Sequence, residues 1–417
     1  MKEQREFGMN NKIKVVVICH FSSPEVQSKL TLWKKTDFYA AWIPNLLEGL
    51  KNYTEYEIHV ISPHLYLKRD ANFEIDGIFY HFFSIGIPVV NRNWPAFFNL
   101  DLYTNFYFNR RKIKKLIDRI KPRLINLQGA ENSYYSSSVL DVCQKYPVLV
   151  TIQGFVSLEC EKKGRYKKHR INTEAKIINE CRYFGGDPDS MRLIEKIKTE
   201  AFNFYKYYYP NGSNIHGLAK LTTDKEADLL YWGRITKEKG AEDFLLLVRN
   251  LKVDFPDLRT SIIGPVEAEY LKRLKERIVE LGCERNITIK GFIRSSDDLY
   301  AEVLRSRILV IPTYNDRFPT VLREGVCLKL AVVAYSTGSI PEFNKADERI
   351  LLANPGDIKQ MTTHVSKLLT DERYFEDLTN KAFDYGMSEF SIENNCDKLI
   401  NAYKDILNRE IKLKNNV

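Results

Sequence analysis

Nowhere in the 417 residues is there an apolar run approaching the roughly 20 residues that a membrane-spanning helix requires. The opening stretch, MKEQREFGMNNK, is polar and has no apolar leader core, so the chain is expected to stay in the cytoplasm. Cysteines number seven, at positions 19, 143, 160, 181, 283, 327 and 396. The odd count, the wide spacing and the lack of a C-x-x-C pair argue against a disulfide framework and against a local zinc motif. The seven histidines include no H-x-x-x-H pair, so local spacing supplies no metal set. Short-period repeats and low-complexity tracts are missing as well. With 44% hydrophobic and 28% charged residues, the composition is that of a globular protein.

What is present is a basic balance, 63 Lys and Arg against 54 Asp and Glu, for a net charge of +9. Such a surface suits nucleic acid, anionic lipid or phosphorylated small molecules, and charge alone does not choose among them. No nucleic-acid module and no interleaved basic–aromatic platform is recognisable, so a nucleic-acid partner is not expected.

The length suits two α/β domains of roughly 150–200 residues each. In the first half, residues 15–19 (VVVIC), 57–62 (EIHVIS), 77–83 (GIFYHFF), 124–127 and 148–152 read as strands, with a helix at 38–50 despite Pro44. The second half repeats the pattern, with strands at 229–233, 259–264, 287–291, 308–312, 332–335 and 350–352. Helices are expected at 241–251 and 267–281. Strands alternating with helices imply parallel sheets covered on both faces. The expected architecture is two Rossmann-like, doubly wound domains facing a cleft, at 1–200 and 201–390. A terminal helix at 391–417 is expected to return toward the first domain. The join is expected within residues 161–226, through a charged run, a loop at 185–188 (GGDP) and an aromatic helix at 201–209.

Two segments carry chemistry. Residues 232–240 read WGRITKEKG directly after a strand. Gly233 lets the chain turn, and Arg234 and Lys239 put two cations at the strand's C-terminal edge, where open α/β sheets bind ligands. A diphosphate needs such cations because its charge grows as a sugar–phosphate bond breaks. An ordinary solvated loop accounts for the same charges. Residues 315–342 read NDRFPTVLREGVCLKLAVVAYSTGSIPE, a loop followed by a helix starting near Pro319 and Thr320. That helix start offers free N–H groups and a positive dipole end to an anion. Glu324, one turn in, has the reach to accept two hydrogen bonds from a ribose diol, and Asp316 the reach to hold sugar hydroxyls. Charge complementarity at a helix start explains both carboxylates without any ligand.

In this order and spacing the two segments resemble the donor-binding domain of family-4 retaining glycosyltransferases of the GT-B fold, also called glycosyl transferases group 1. The family pattern G-R-L-x-x-x-K-G is matched by G-R-I-T-K-E-K-G at 233–240. The pattern E-x-F-G/P-x-x-x-x-E is matched by D-R-F-P-T-V-L-R-E at 316–324. The resemblance is good over about residues 225–390, and in the first half only the general α/β pattern and VLVTIQGF at 148–155 follow it. It implies that Arg234 and Lys239 bind the donor diphosphate, that Glu324 binds the ribose, and that Asp316 stands near the transferred sugar. Main-chain groups at Phe318, Pro319, Thr320 and Val321 would contact phosphate or sugar, with Gly233 shaping the turn. Two departures stand out. Asp316 replaces the usual glutamate, and Gln153 stands where many members have a histidine.

The implied activity is metal-independent, retaining transfer of a hexose from a UDP- or GDP-sugar, with no cofactor. The implied acceptor is a glycan or a polyprenyl-linked glycan, in bacterial surface polysaccharide assembly. A non-catalytic GT-B protein that binds a glycan or a partner, or another GT-B enzyme such as a nucleotide-sugar epimerase, is the alternative. Residues 109–123 (NRRKIKKLIDRIKPR) admit two readings: a helix docking on anionic membrane at its inner face, or a Rossmann helix packed on the sheet with its basic side in water.

Overall fold

Short runs of Val, Ile and Leu bounded by turn residues become parallel strands when both faces are covered, and two sheets of this kind form here. The computed structural model describes residues 12–34, 39–40, 42–85, 98–158, 164–198, 203–209, 214–218, 224–316 and 318–415. It divides into one unit of residues 1–210 with 392–417 and a second of residues 211–391.

The first unit is built on eight strands: β1 (Ile13–Ile18), β2 (Tyr56–His64), β3 (Ala71–Ile75), β4 (Ile78–Ser84), β5 (Leu124–Gln128), β6 (Val148–Thr151), β7 (Tyr183–Gly186) and β8 (Asn203–Lys206). Their order is β3-β4-β2-β1-β5-β6-β7-β8, and only β3 runs antiparallel to its neighbour. Along β1, Val15 and Val17 face one core, and Val16 and Ile18 face the other. The helices used below are α1 (Trp42–Leu50), α2 (Tyr107–Ile120), α3 (Arg165–Glu180) and α4 (Pro188–Ile197). The C-terminal helix Ile392–Asn415 lays Leu399, Ile400 and Tyr403 on the first core, so it belongs to this unit.

Several expectations need correction. The aromatic stretch expected as a helix at 201–209 holds strand β8, hydrogen-bonded to β7 from Asn203 to Lys206. Its aromatics alternate between the two cores, Phe204 on one side and Tyr205 on the other, a period that a strand satisfies and a helix does not. Gly185 and Gly186, read as a loop, lie in β7. The region read as a join is therefore largely two further βα layers of the first sheet. The helix expected from residue 38 begins at Trp42, and Tyr39 instead bridges Ser22. Strand β3 had no counterpart in the expected order, although Asp76-Gly77 is a hairpin signal. Both residues have positive φ, 50° and 80°, as a tight two-residue turn demands.

Of the two readings of residues 109–123, packing decides for the sheet. Ile113, Ile117 and Ile120 of α2 are buried in the second core and Leu116 packs against it, so the helix turns only its polar side outward. Among the described residues no helix is long and apolar enough to cross a membrane.

The second unit has six parallel strands: β9 (Ala227–Trp232), β10 (Thr260–Ile263), β11 (Ile287–Gly291), β12 (Ser306–Ile311), β13 (Ala331–Tyr335) and β14 (Leu351–Ala353). Their order is β11-β10-β9-β12-β13-β14. The chain winds outward from β9 on one side and from β12 on the other. The crevice outside the C-terminal ends of these two strands is where open sheets of this kind take a ligand. Helices α5 (Ala241–Leu251), α6 (Ser296–Leu304) and α7 (Thr320–Cys327) begin near or flank that edge.

Candidate functional site

The turn after β9 is held by its own strand. The Tyr231 hydroxyl donates to the carbonyls of Arg234 (2.8 Å) and Lys239 (3.1 Å), which fixes both ends of the loop that carries the two cations. Gly240 then starts α5 with φ 72°, and a Cβ there would overlap the Pro312 carbonyl oxygen beyond β12. Only glycine fits both the backbone angle and the close approach. The Tyr314 N–H completes the link by donating to the Glu238 carbonyl at 2.9 Å. The loops after β9 and β12 are thus fastened at two points, and the residues on them are set relative to one another.

Lys239 crosses this seam. Its Nζ lies 2.6 Å from Asp316 Oδ2 and donates to the Asn315 carbonyl at 2.9 Å. The pair joins the two sequence segments that were singled out separately. Arg234, on the same turn, is exposed, and among the described residues its side chain makes no ion pair or hydrogen bond. Its guanidinium is therefore available to a ligand.

Pro319 caps α7 without a side-chain hydrogen bond, and the first turn holds no acidic residue. Among the described residues the N–H groups of Thr320 and Val321 therefore have no partner within the helix and no acidic side chain in its first turn. Phe318, just before, packs its ring against Phe343 and Phe390, so the ring serves the core and only its main chain is offered at the edge. The Thr320 hydroxyl accepts from Arg323 Nη2 at 3.3 Å.

Glu324 sits deeper. Burial pushes its carboxyl up to about 7, against the opposing pull of the Tyr300 hydroxyl, which donates to Oε1 at 2.9 Å, and of Arg323. Tyr300 comes from α6 and meets Trp232, at the end of β9, edge to face. A carboxylate half-buried with one oxygen tethered and its pKa raised is poised to gain from a diol that donates to it. A raised pKa means that the proton is favoured in the folded state. The resulting stability is full below the ordinary value of 4.5 and is lost as pH rises through about 7. Glu324→Gln is therefore expected to raise the melting temperature at pH 8 by a few degrees, roughly 1 kcal/mol, and to leave it unchanged at pH 4. The same variant should bind a nucleotide sugar at least about tenfold more weakly at pH 8, since it loses a charge-assisted bond. Equal affinity for the two proteins at pH 8 would remove Glu324 from the site.

Gln153 lies in the first unit, beyond β6. Its Nε2 donates to the Tyr209 hydroxyl at 2.9 Å, and that hydroxyl donates to Gln128 Oε1 at 2.5 Å. Gln128, Asn126, Thr151, Tyr207 and Tyr403 continue the chain of hydrogen bonds through the buried strand ends. Gln153 is thus oriented from below by a network that the sequence does not announce, because its members are spread from residue 126 to residue 403. Tyr231, Tyr300 and Tyr314 were missed for the same reason, since nothing in their local sequence marks them. Among the described residues no group of three or more His, Cys, Asp or Glu side chains is gathered as a metal set.

Residues 219–385 match the family described as Glycosyl transferases group 1. The match covers the second unit, including Arg234, Lys239, Asp316 and Glu324. Over 150 residues the chain is 23% identical to 2-deoxystreptamine N-acetyl-D-glucosaminyltransferase of Niallia circulans, covering 36% of this chain and 38% of that protein. Over 179 residues it is 26% identical to O-antigen chain mannosyltransferase B of Escherichia coli, covering 42% and 45%. The chain thus spans less than half the length of these relatives. Among solved structures, sucrose-phosphate synthase from Thermosynechococcus elongatus superposes with a TM-score of 0.72 at 14% identity, covering 95% of this chain and all of that one. Anabaena HepE in complex with UDP gives 0.65 at 13% identity, covering 94% of this chain and all of that one. The fold is GT-B.

Proposed function

We propose that this GT-B protein is a retaining, metal-independent glycosyltransferase of family 4, and that the edge of the second unit holds the diphosphate of a nucleotide sugar. The observation that carries the reading is the pair of Lys239 with Asp316 on the loop that leads into α7, a helix start with no side-chain cap, with Arg234 exposed on the turn that carries Lys239. In this reading Arg234, Lys239 and the N–H groups at Thr320 and Val321 take the phosphate oxygens. Glu324 takes the ribose diol, and Asp316, positioned by Lys239, takes a hydroxyl of the sugar. A UDP- or GDP-hexose supplies these groups. The HepE complex with UDP supports a nucleotide donor.

The bond from C1 to the diphosphate breaks with its electron pair on the phosphate oxygen. The acceptor hydroxyl attacks C1 from the same face, and its proton passes to that phosphate oxygen. The protein contributes position and stabilises the departing charge, work that a divalent ion does elsewhere. The first unit, with Gln153 at its sheet edge, receives the acceptor. An O-antigen mannosyltransferase and an exopolysaccharide phosphotransferase among the relatives favour a glycan acceptor, and the basic surface favours one carried on a polyprenyl lipid.

The test is proton NMR of the reaction with UDP- and GDP-sugars in the presence of EDTA. The expected product keeps the donor's anomeric configuration, at a rate that the chelator does not change. An inverted product, or a rate abolished by EDTA and restored by magnesium, would contradict the mechanism. Conversion of the free nucleotide sugar into its epimer would favour the epimerase alternative.

A further inference from the structure

The buried face of α2 removes the apolar surface that a docking helix would need, yet the first unit displays aromatic surface elsewhere. Residues 31–34, after the first short helix, and 66–69, after β2, pair as a small antiparallel ribbon. Leu32 bridges Leu67, Trp33 N–H donates to the Tyr66 carbonyl at 2.8 Å, and Lys68 N–H donates to the Thr31 carbonyl at 2.9 Å. Leu67 is buried in the first core and Leu32 packs against it. Side chains alternate along such a ribbon, so their neighbours point away from the core. Those neighbours include Trp33, Tyr66 and Lys68, and the exposed Lys34 and Arg69 end the two segments. Trp33 is 63% exposed, with the Lys68 ammonium 4.9 Å from its ring centre, and the Lys34 ammonium lies 6.0 Å from that of Tyr66.

The carboxylate of Asp70, next to the ribbon among the described residues, is neutralised. Asp70 accepts from the Ser84 N–H at 3.0 Å and from Lys112 Nζ at 3.1 Å. That ion pair also ties the ribbon to α2, whose exposed side carries Arg111 and Lys115. Lys34, Lys68, Arg69, Arg111 and Lys115 have no carboxylate partner among the described residues. The ribbon thus sets an exposed indole with one ammonium over its ring beside further cations that lack a carboxylate partner among the described residues. It matches a surface that is apolar just beneath a layer of anions. Trp and Tyr rings settle at the headgroup level of a bilayer while Lys and Arg reach the phosphates.

We infer that the ribbon of Trp33, Lys34, Tyr66, Lys68 and Arg69 docks the first unit on an anionic lipid bilayer, with α2 contributing charge alone. Trp33 enters the headgroup layer, and each cation strengthens partition by a factor of about five at low salt. Ribbon and Gln153 follow the C-terminal ends of strands of one parallel sheet, so an acceptor carried in that bilayer meets the edge assigned to it. The inference draws its purpose from the lipid-linked acceptor reading, while its evidence is independent of it.

The test is sedimentation with phosphatidylserine–phosphatidylcholine vesicles and with phosphatidylcholine vesicles, together with tryptophan emission. The intact chain is expected to bind the anionic vesicles, to be released by high salt, and to shift its emission to the blue. Trp33→Phe should abolish the shift, and Lys34→Ser with Lys68→Ser should lower partition about 25-fold. Partition unchanged in the double variant, an unaltered shift in Trp33→Phe, or equal binding to both vesicles would overturn the inference. Transfer to a water-soluble acceptor separates the two claims. Vesicle binding without any transfer leaves the ribbon standing and the enzyme reading fallen, and transfer without vesicle binding does the reverse.

Discussion

Lys239→Ala is expected to reduce sugar transfer by at least about 100-fold, measured as kcat/KM for a nucleotide sugar, while the protein stays folded. The size follows from what the ammonium does in two states. In the free protein it is bonded to Asp316 Oδ2 and to the Asn315 carbonyl, which together fix the loop after β12. In the proposed reaction it would face charge growing on the leaving diphosphate, where one charged donor is worth about 3 kcal/mol. Removing it also leaves Asp316 as an unpaired carboxylate next to an arriving polyanion. Lys239→Ala combined with Asp316→Asn should therefore recover part of the loss, because the repulsion goes with the charge. Arg234→Ala is the cleaner companion. No partner of its side chain exists among the described residues, so stability should stay within about 0.5 kcal/mol of the parent while transfer falls by a similar factor. Near-parental kcat/KM in both single variants would refute the roles of the two cations.

Much of this site was legible because it is local. The cations at 234 and 239 lie within one turn, and Gly240 marks the close approach to Pro312 that fixes that turn. Asp316 and Glu324 are eight residues apart on a loop and the helix it feeds. Each of these signals is a residue type at a short spacing, which a sequence displays directly. The six strands of the second sheet followed because each apolar run is bounded by turn residues.

What was not legible is what tertiary contact decides. Aromatics and lysines near a proline turn do not by themselves fix a period, so the sequence alone suggests a helix over 201–209. It is the edge of β7 that makes residues 203–206 a strand. Residues 109–123 carried a basic amphipathic pattern compatible with lipid or with a sheet. The second core settles that pattern by burying Ile113, Ile117 and Ile120. The raised pKa of Glu324 comes from burial and is held back by the hydroxyl of Tyr300, 24 positions away, and neither influence has a local signature. The ribbon of Trp33 and Lys68 is likewise a pairing of two loops that are distant in sequence.

The central claim is that the second unit grips two linked phosphoryl groups, and it makes a quantitative demand on a simple comparison. A nucleoside monophosphate and the matching diphosphate share base and ribose, so Glu324 treats them alike. In the proposed site the added phosphoryl group would meet Arg234, Lys239 and the N–H groups at the start of α7. Hydrogen bonds to charged groups contribute about 1.5–3 kcal/mol each, so two of them give the diphosphate an advantage of at least about 100-fold. Titration calorimetry of UDP against UMP, and of GDP against GMP, measures that ratio directly. The account predicts a Kd at least about 100-fold lower for the diphosphate of the preferred base, falling to within about tenfold of the monophosphate in Arg234→Ala. Equal affinities for mono- and diphosphate in the unaltered protein would contradict it.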